Sequence, residues 1–385
     1  MGSSLRKIAS HYLLTPKGFQ PRPLITVRVE GATHEIVAVE QYDGGLDSMA
    51  GVEFHSGILC AGFVNAHSHL ELAYLRGAIE AGGGFAAFAE SMGRVRGNFS
   101  EEEQLAAIAE ADKAMWAEGI DAVGDIVNGA TSFATKAVSK IYYHNFLEVF
   151  GLRECNLERQ RALLSHPNTT LTPHSTYSVQ DAPFREVCEA DATKPLSIHF
   201  LETEDEATLY TGGGRLHDWY EKVGFECDFL HYGSPAKRIV ECVPKERGVL
   251  LVHNCAVTKA DIEAIEQHFT APVSWALCPR SNAYISGIEP HSVELLRACG
   301  VNICVGTDSL ASNWSLSIVE ELKMFRGIPL TELLQWATIN GAKALGIDDR
   351  YGSIEVGKRS GIVCLTGVDL ESFTLTPDTK AKRIL

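Results

Sequence analysis

The feature that most limits the fold is a succession of eight short apolar segments, each followed by a stretch with helical spacing. They are Gly57 to Ala66, Ala122-Val123, Tyr143 to Phe150, Thr169-Thr170-Leu171, Leu196-Ser197-Ile198, Gly248 to Val252, Val273 to Leu277 and Val301 to Val305. Apolar strands alternating with amphipathic helices specify an α/β architecture with a parallel sheet. Eight such units in succession are the arithmetic of a (β/α)8 TIM-type barrel, expected here over residues 57–349. One helix start is explicit: Ser100 followed by Glu103 is a capping box, and Gly119 stands where that helix should end. Outside the barrel the texture is β-like. Leu24 to Val29 and Glu35 to Val39 read as strands, as do Gly352 to Lys358 and Ile362 to Leu365 near the other end. The two terminal segments, 1–56 and 350–385, are expected to pair with each other.

Charge and composition narrow the partners. Apolar residues make up 45% of the 385 and charged residues 22%, the balance of a globular protein with a sizeable core. A net charge of −15 offers no basic stripe for a nucleic-acid backbone and no attraction to an anionic membrane. No apolar run reaches the length of a membrane span, and the opening residues carry no apolar stretch followed by a small-residue cleavage site. The expectation is a cytoplasmic protein acting on a small molecule; a homodimer is compatible with the sequence. Ten scattered cysteines without a CxxC pair are expected to be reduced.

In a barrel of this kind the active site forms at the C-terminal ends of the strands. After the first strand stand His67-Ser68-His69, two histidines at i, i+2 on extended backbone, which point the same way. After the fifth stands His199, with Glu202 three residues on; after the sixth, His253; after the eighth, Asp308. A lone histidine after a strand is usually a core or surface residue, and Asp308 alone could cap a helix. Four strand ends carrying imidazole and carboxylate together point to a divalent ion. The fourth strand ends Thr172-Pro173-His174-Ser175, without a lysine to bridge two metals, so one ion is expected.

The segments Gly62 to His69, Pro173-His174-Ser175, His199-Phe200-Leu201-Glu202, Leu251 to Asn254, Cys278 to Asn282, Gly306 to Ser309, Ala337 to Ala342 and Gly352 to Lys358 together resemble the amidohydrolase superfamily. Within it they are similar to the branch of cytosine, guanine and adenosine-type deaminases and triazine hydrolases. The resemblance runs from about residue 57 to 365. It implies His67, His69, His199 and Asp308 as ligands of one divalent ion, zinc by default with iron or manganese as alternatives. It implies His253 as a polarising group, Glu202 as the proton shuttle and His174 as a substrate contact. It also implies that the two chain ends form a small β-sandwich beside the barrel. Arg359-Ser360-Gly361-Ile362 departs from the family pattern in that sandwich.

The chemistry fits these residue types. A divalent ion lowers the pKa of its water from about 15.7 to roughly 7, Asp308 can accept the water proton, and Glu202 can protonate a ring nitrogen and then the leaving amine. The expected reaction is hydrolytic deamination of an aminated heterocycle or nucleoside of guanine, cytosine, adenosine or aminodeoxyfutalosine type. The alternatives are loss of chloride or an alkylamine from a triazine, opening of a cyclic amide and, remotely, a non-catalytic barrel scaffold. Arg280 and Asn282, after the seventh strand, are further candidates for substrate contact. Phe85, Phe88, Tyr177 and Trp314 could touch a planar ring or merely pack, and Glu148 reads as structural. Gly82-Gly83-Gly84 and Gly212-Gly213-Gly214 lack the GK[ST] ending of a phosphate loop and read as flexible loops over the site.

Overall fold

The computed structural model describes residues 3–31, 33–42, 51–287 and 292–385. Its strands are β1 (Ser4–Thr15), β2 (Gly18–Pro21), β3 (Pro23–Glu30), β4 (Thr33–Gln41), β5 (Val52–Ala61), β6 (Phe63–Ser68), β7 (Ile120–Val127), β8 (Tyr142–Val149), β9 (Thr169–Pro173), β10 (Leu196–Phe200), β11 (Val249–His253), β12 (Val273–Leu277), β13 (Asn302–Val305), β14 (Ile362–Thr366) and β15 (Lys380–Arg383).

Strands β6 to β13 are the eight expected barrel strands, all parallel, in two groups ordered β6-β7-β8-β9 and β10-β11-β12-β13. Short bridges join the groups at their C-terminal ends: Ser68 pairs with Asp308 and Ser175 with His199. Lower on the second seam a side chain replaces the ladder. Thr172 Oγ1 donates to the Ser197 carbonyl at 2.6 Å and accepts the Ser197 N–H at 2.9 Å. On the first seam Asn65 does similar work, donating to Thr307 Oγ1 at 2.7 Å and accepting the Thr307 N–H at 3.1 Å. Both faces of each strand are buried, which is why the sequence shows apolar runs without clean alternation. Val64, Ala66, Phe146, Leu250, Val252 and Ala276 fill the interior. Phe63, Val123, Leu147, Ile198, Leu251 and Trp275 belong to the larger cluster shared with the surrounding helices.

The terminal segments form one seven-stranded sheet, ordered β15-β14-β5-β1-β3-β4 with β2 on β1. Strand alternation gives it two apolar faces. Ile58, Cys60, Val363 and Leu365 join the barrel cluster, while Leu59, Ala61, Ile362 and Cys364 pack with Ile8, Ile25, Val27 and Ile36 in a core of the sheet's own. Two details differ from the sequence reading. The segment from Gly57 is not one barrel strand: it breaks at Gly62, leaving β5 in the terminal sheet and β6 in the barrel. The segment Gly352 to Lys358 is not a strand; it touches β4 through two backbone bonds, Ile36 N–H to Lys358 and Gly357 N–H to Ile36. The capping box holds, with the Glu103 N–H on Ser100 Oγ at 3.2 Å and the Ser100 N–H on Glu103 Oε2 at 2.8 Å. All ten cysteines are free thiols. No helix among the described residues is long and apolar enough to cross a membrane.

Asn65 is fully buried and both ends of its amide are used on one seam. Replacing it with alanine removes two buried hydrogen bonds from that seam, although Thr307 keeps its bonds to the His67 and Asp308 carbonyls, so Asn65→Ala should cost about 1–3 kcal/mol of stability. Denaturant unfolding of the two proteins checks this; an unchanged midpoint would contradict it.

Candidate metal centre and active site

Three imidazoles meet at the C-terminal mouth of the barrel. His67 is the next-to-last residue of β6, His69 follows the strand, and His199 sits in β10. His69 Nε2 lies 3.2 Å from His67 Nε2 and 3.2 Å from His199 Nε2. Nitrogens sharing one tetrahedral ion at about 2.0–2.1 Å are separated by roughly 3.3 Å. Asp308 Oδ1 completes the group, 3.4 Å from His69 Nε2 and 3.9 Å from His67 Nε2.

The surroundings fix which atoms face inward. His199 Nδ1 donates to the His174 carbonyl at 3.0 Å, which leaves the Nε2 lone pair for the cluster. Asp308 Oδ2 accepts hydrogen bonds from Ser281 Oγ at 2.5 Å and Ser312 Oγ at 2.9 Å, so Oδ1 is the free oxygen. The backbone is forced to deliver these groups. Asp308 has φ +57° and its N–H, with that of Thr307, donates to the His67 carbonyl. Gly306 makes that approach possible: a Cβ there would stand 2.7 Å from His67 Cβ. Burial holds the imidazoles neutral, pushing His69 down to about 3 and His199 to about 4. Neutral nitrogen lone pairs converging on a carboxylate oxygen repel unless a cation lies between them, so the donor set fits a divalent ion.

Around this cluster His253 ends β11 with φ +76°. Its Nδ1 donates to Asn282 Oδ1 at 3.0 Å, and its Nε2 faces Glu202 Oε1 at 3.9 Å. Burial pushes the Glu202 carboxyl up to about 7. His174 Nδ1 meets Ser178 Oγ at 2.7 Å. His69, His199, Asp308, Glu202, His253 and His174 form the floor of a cavity of about 430 Å³. Its walls are apolar. Phe85, Phe88 and Met92 come from the Gly84–Val95 helix, Leu216, Trp219 and Tyr220 from the Gly214–Val223 helix, and Tyr177 and Phe225 from loops. The two glycine triplets therefore do more than loop over the site: each opens a helix that walls the cavity, with positive φ at Gly82, Gly84, Gly212 and Gly214.

Two expected substrate contacts stand elsewhere. Arg280 does not line the cavity; its Nε bonds Asn313 Oδ1 at 3.1 Å and its Nη1 pairs with Glu320 at 3.4 Å. Asn282 reaches the site only through His253. Trp314 packs outside, with Tyr284 and Arg280, and is 55% exposed. Conversely, Glu148 is buried beside the site, with Oε1 3.7 Å from His199 Nδ1 and without a hydrogen-bond partner. Phe146 and Glu148, two apart on β8, point to the same face, and that spacing was the available signal.

A family model of the amidohydrolase family matches residues 58–381, most of the chain. The chain belongs to the amidohydrolase family. Among relatives, this amidohydrolase is 29% identical to an adenosine deaminase of Helicobacter pylori over 80% of its own length and 79% of the relative's. It is 26% identical to a 5-methylthioadenosine/S-adenosylhomocysteine deaminase of Thermoanaerobacter pseudethanolicus, covering 92% of this chain and 83% of that one. Its fold matches the crystal structure of Helicobacter pylori aminofutalosine deaminase in complex with methylthio-coformycin, with a TM-score of 0.81 at 24% identity, over 99% of this chain and 100% of that one.

His69 Nε2 stands within 3.4 Å of His67 Nε2, His199 Nε2 and Asp308 Oδ1, the other three atoms of the cluster. His69→Ala should weaken divalent-metal binding by at least about 10²-fold. Competition with a chelator of known affinity measures this, and unchanged affinity would exclude the site.

Proposed function

We propose that the protein is a metal-dependent hydrolase that deaminates an adenine-type nucleoside, with one zinc ion held by His67, His69, His199 and Asp308. The observation that carries the reading is the cavity floor, where this donor set and a buried carboxyl near neutral pKa share one space under aromatic walls. The deaminase names of the relatives support the same class. Aromatic walls suit a planar base, and concave, mostly apolar sites with a few converging polar groups are typical of small-molecule pockets. Ten free thiols fit a reducing compartment, and we place the protein in the cytoplasm.

When bound, the ion supplies a Lewis acid that makes water nucleophilic near neutral pH. The residues of the chain do the rest. Glu202, held as the acid by burial, donates a proton to the ring nitrogen next to the amino-bearing carbon, which makes that carbon electrophilic. Asp308 accepts the proton of the attacking water. His253, its Nδ1 engaged by Asn282, directs Nε2 at the incoming oxygen. Glu202, left as the anion, takes up the proton of the added hydroxyl as the carbonyl forms and delivers it to the departing nitrogen; the C–N bond breaks, ammonia leaves, and the proton held by Asp308 restores Glu202. His174 and Tyr177, at the cavity wall, contact the base.

Glu202→Gln keeps the side-chain size and removes the transferable proton. It should retain zinc and lose at least about 10²–10⁴-fold in kcat. Ammonia release from adenosine, 5′-deoxyadenosine and 5′-methylthioadenosine, with metal analysis of the same preparation, reads both. Near-normal turnover by the zinc-loaded glutamine variant would remove Glu202 from the mechanism. Wild-type protein that releases no ammonia from these nucleosides would overturn the nucleoside reading.

A further inference from the structure

Glu206 is a second buried carboxyl that the chemistry above does not use. It lies four residues beyond Glu202, in the Glu204–Leu209 helix, and is 1% exposed. Its Oε1 shares a hydrogen bond with the hydroxyl of Thr176. Thr176 belongs to the loop after β9 whose neighbours His174, Tyr177 and Ser178 line the cavity. The backbone N–H groups of Leu201 and Glu202 are directed at the same carboxyl. Leu201 is held at φ +47°, a conformation that a leucine adopts only when its surroundings enforce it. One carboxyl thus bonds the loop that faces substrate while lying against the turn that carries Glu202.

The charged and titratable groups around it leave no counter-ion. Glu202 is on the same turn, Tyr177 on the facing loop, and Tyr210 and Tyr220 on the neighbouring segments. Arg238, which also packs on this loop, is engaged elsewhere: it donates to the carbonyls of Thr176 at 2.6 Å and Val179 at 2.9 Å, between the rings of Phe184 and Phe229, and lies 3.9 Å from Asp181 Oδ1. Among the described residues no lysine, arginine or histidine pairs with Glu206, and its Oε2 has no partner. A carboxylate buried without a cation is so costly that the group stays protonated.

We propose that Glu206 is a positioning residue that, as the neutral acid, holds the Glu202 turn against the Thr176–Tyr177 loop and so sets the aim of the proton-carrying carboxyl. The proposal rests on the reading of Glu202 as the proton carrier. Burial, the largest cause, pushes Glu206 up to about 8. Its raised pKa sets the sign: the neutral, holding form is present below about 8, and the anion that forms above it repels Glu202 and loosens the turn.

The test uses the zinc-loaded enzyme, with ammonia release from 5′-methylthioadenosine or adenosine followed across pH 6–10. Wild-type kcat should fall as Glu202 loses its proton near pH 7 and fall more steeply above about pH 8, where Glu206 ionises as well. Glu206→Gln, a neutral replacement of the same size, should keep kcat within about threefold at pH 7 and abolish the steeper fall above about pH 8, leaving the single fall set by Glu202. Glu206→Ala, which unties the turn, should lower kcat at least about tenfold at pH 7 with zinc content unchanged and KM altered less. A glutamine variant whose pH profile coincides with the wild type, or an alanine variant with wild-type kcat, overturns the proposal. If Glu206→Ala does not fold, Thr176→Val removes the hydroxyl partner alone and should lower kcat several-fold with zinc retained; wild-type kcat in that variant overturns the proposal equally. Failure of the wild type to release ammonia would instead strike the underlying functional reading, so the two failures are told apart.

Discussion

The two seams of the barrel are closed by the residues that form the candidate site. On one, the N–H groups of Thr307 and Asp308 share the carbonyl of His67; on the other, the carbonyl of His174 receives both the backbone N–H and Nδ1–H of His199. Closing the barrel and aiming the ligands are therefore the same set of hydrogen bonds. The cost appears in the backbone: Leu201, His253, Asn254 and Asp308 all take positive φ where the strands turn into the site. Each such residue stores of order 1–3 kcal/mol, tolerated because the surrounding packing over-determines it.

The same arrangement accounts for the electrostatics. Imidazoles taken out of water lose their tendency to charge, and carboxyls taken out of water keep their protons. The mouth of the barrel consequently presents neutral nitrogen donors and one carboxylate oxygen to a cation, with a protonated Glu202 at its edge. Asp308 escapes that trend and stays low despite burial; the Ser281 and Ser312 hydroxyls on its Oδ2 favour the anion. The acid, base and ligands of the proposed mechanism thus come from a few residue types set apart by their surroundings.

Much of this was legible in the sequence because parallel strands covered on both faces leave continuous apolar runs, and the chemistry-bearing residues follow those runs. His67, His69, His199, His253 and Asp308 were found that way, and the structure brings all five to one end of the barrel. Residues after the seventh strand were harder. The Pro279–Ser286 helix starts at once after Cys278, so successive side chains rotate by about 100°. Ser281 and Asn282 turn toward Asp308 and His253, while Arg280 turns to Glu320. Sequence adjacency to a strand end could not separate them. The aromatic walls were harder still, because Trp219 and Phe225 reach the cavity from segments distant from the strand ends in sequence. The break at Gly62 was hidden for a different reason: β5 and β6 read as one apolar run although they belong to different sheets.

The central claim is that one ion in the three-histidine, one-aspartate cluster enables ammonia release. The most direct measurement is a titration of metal-stripped protein with zinc, following bound metal and ammonia release from an adenine nucleoside in the same samples. The account predicts no release without zinc, then a rise in proportion to bound ion that levels at one per chain. Release by the metal-stripped protein, or a rise that continues to two ions per chain, would contradict it.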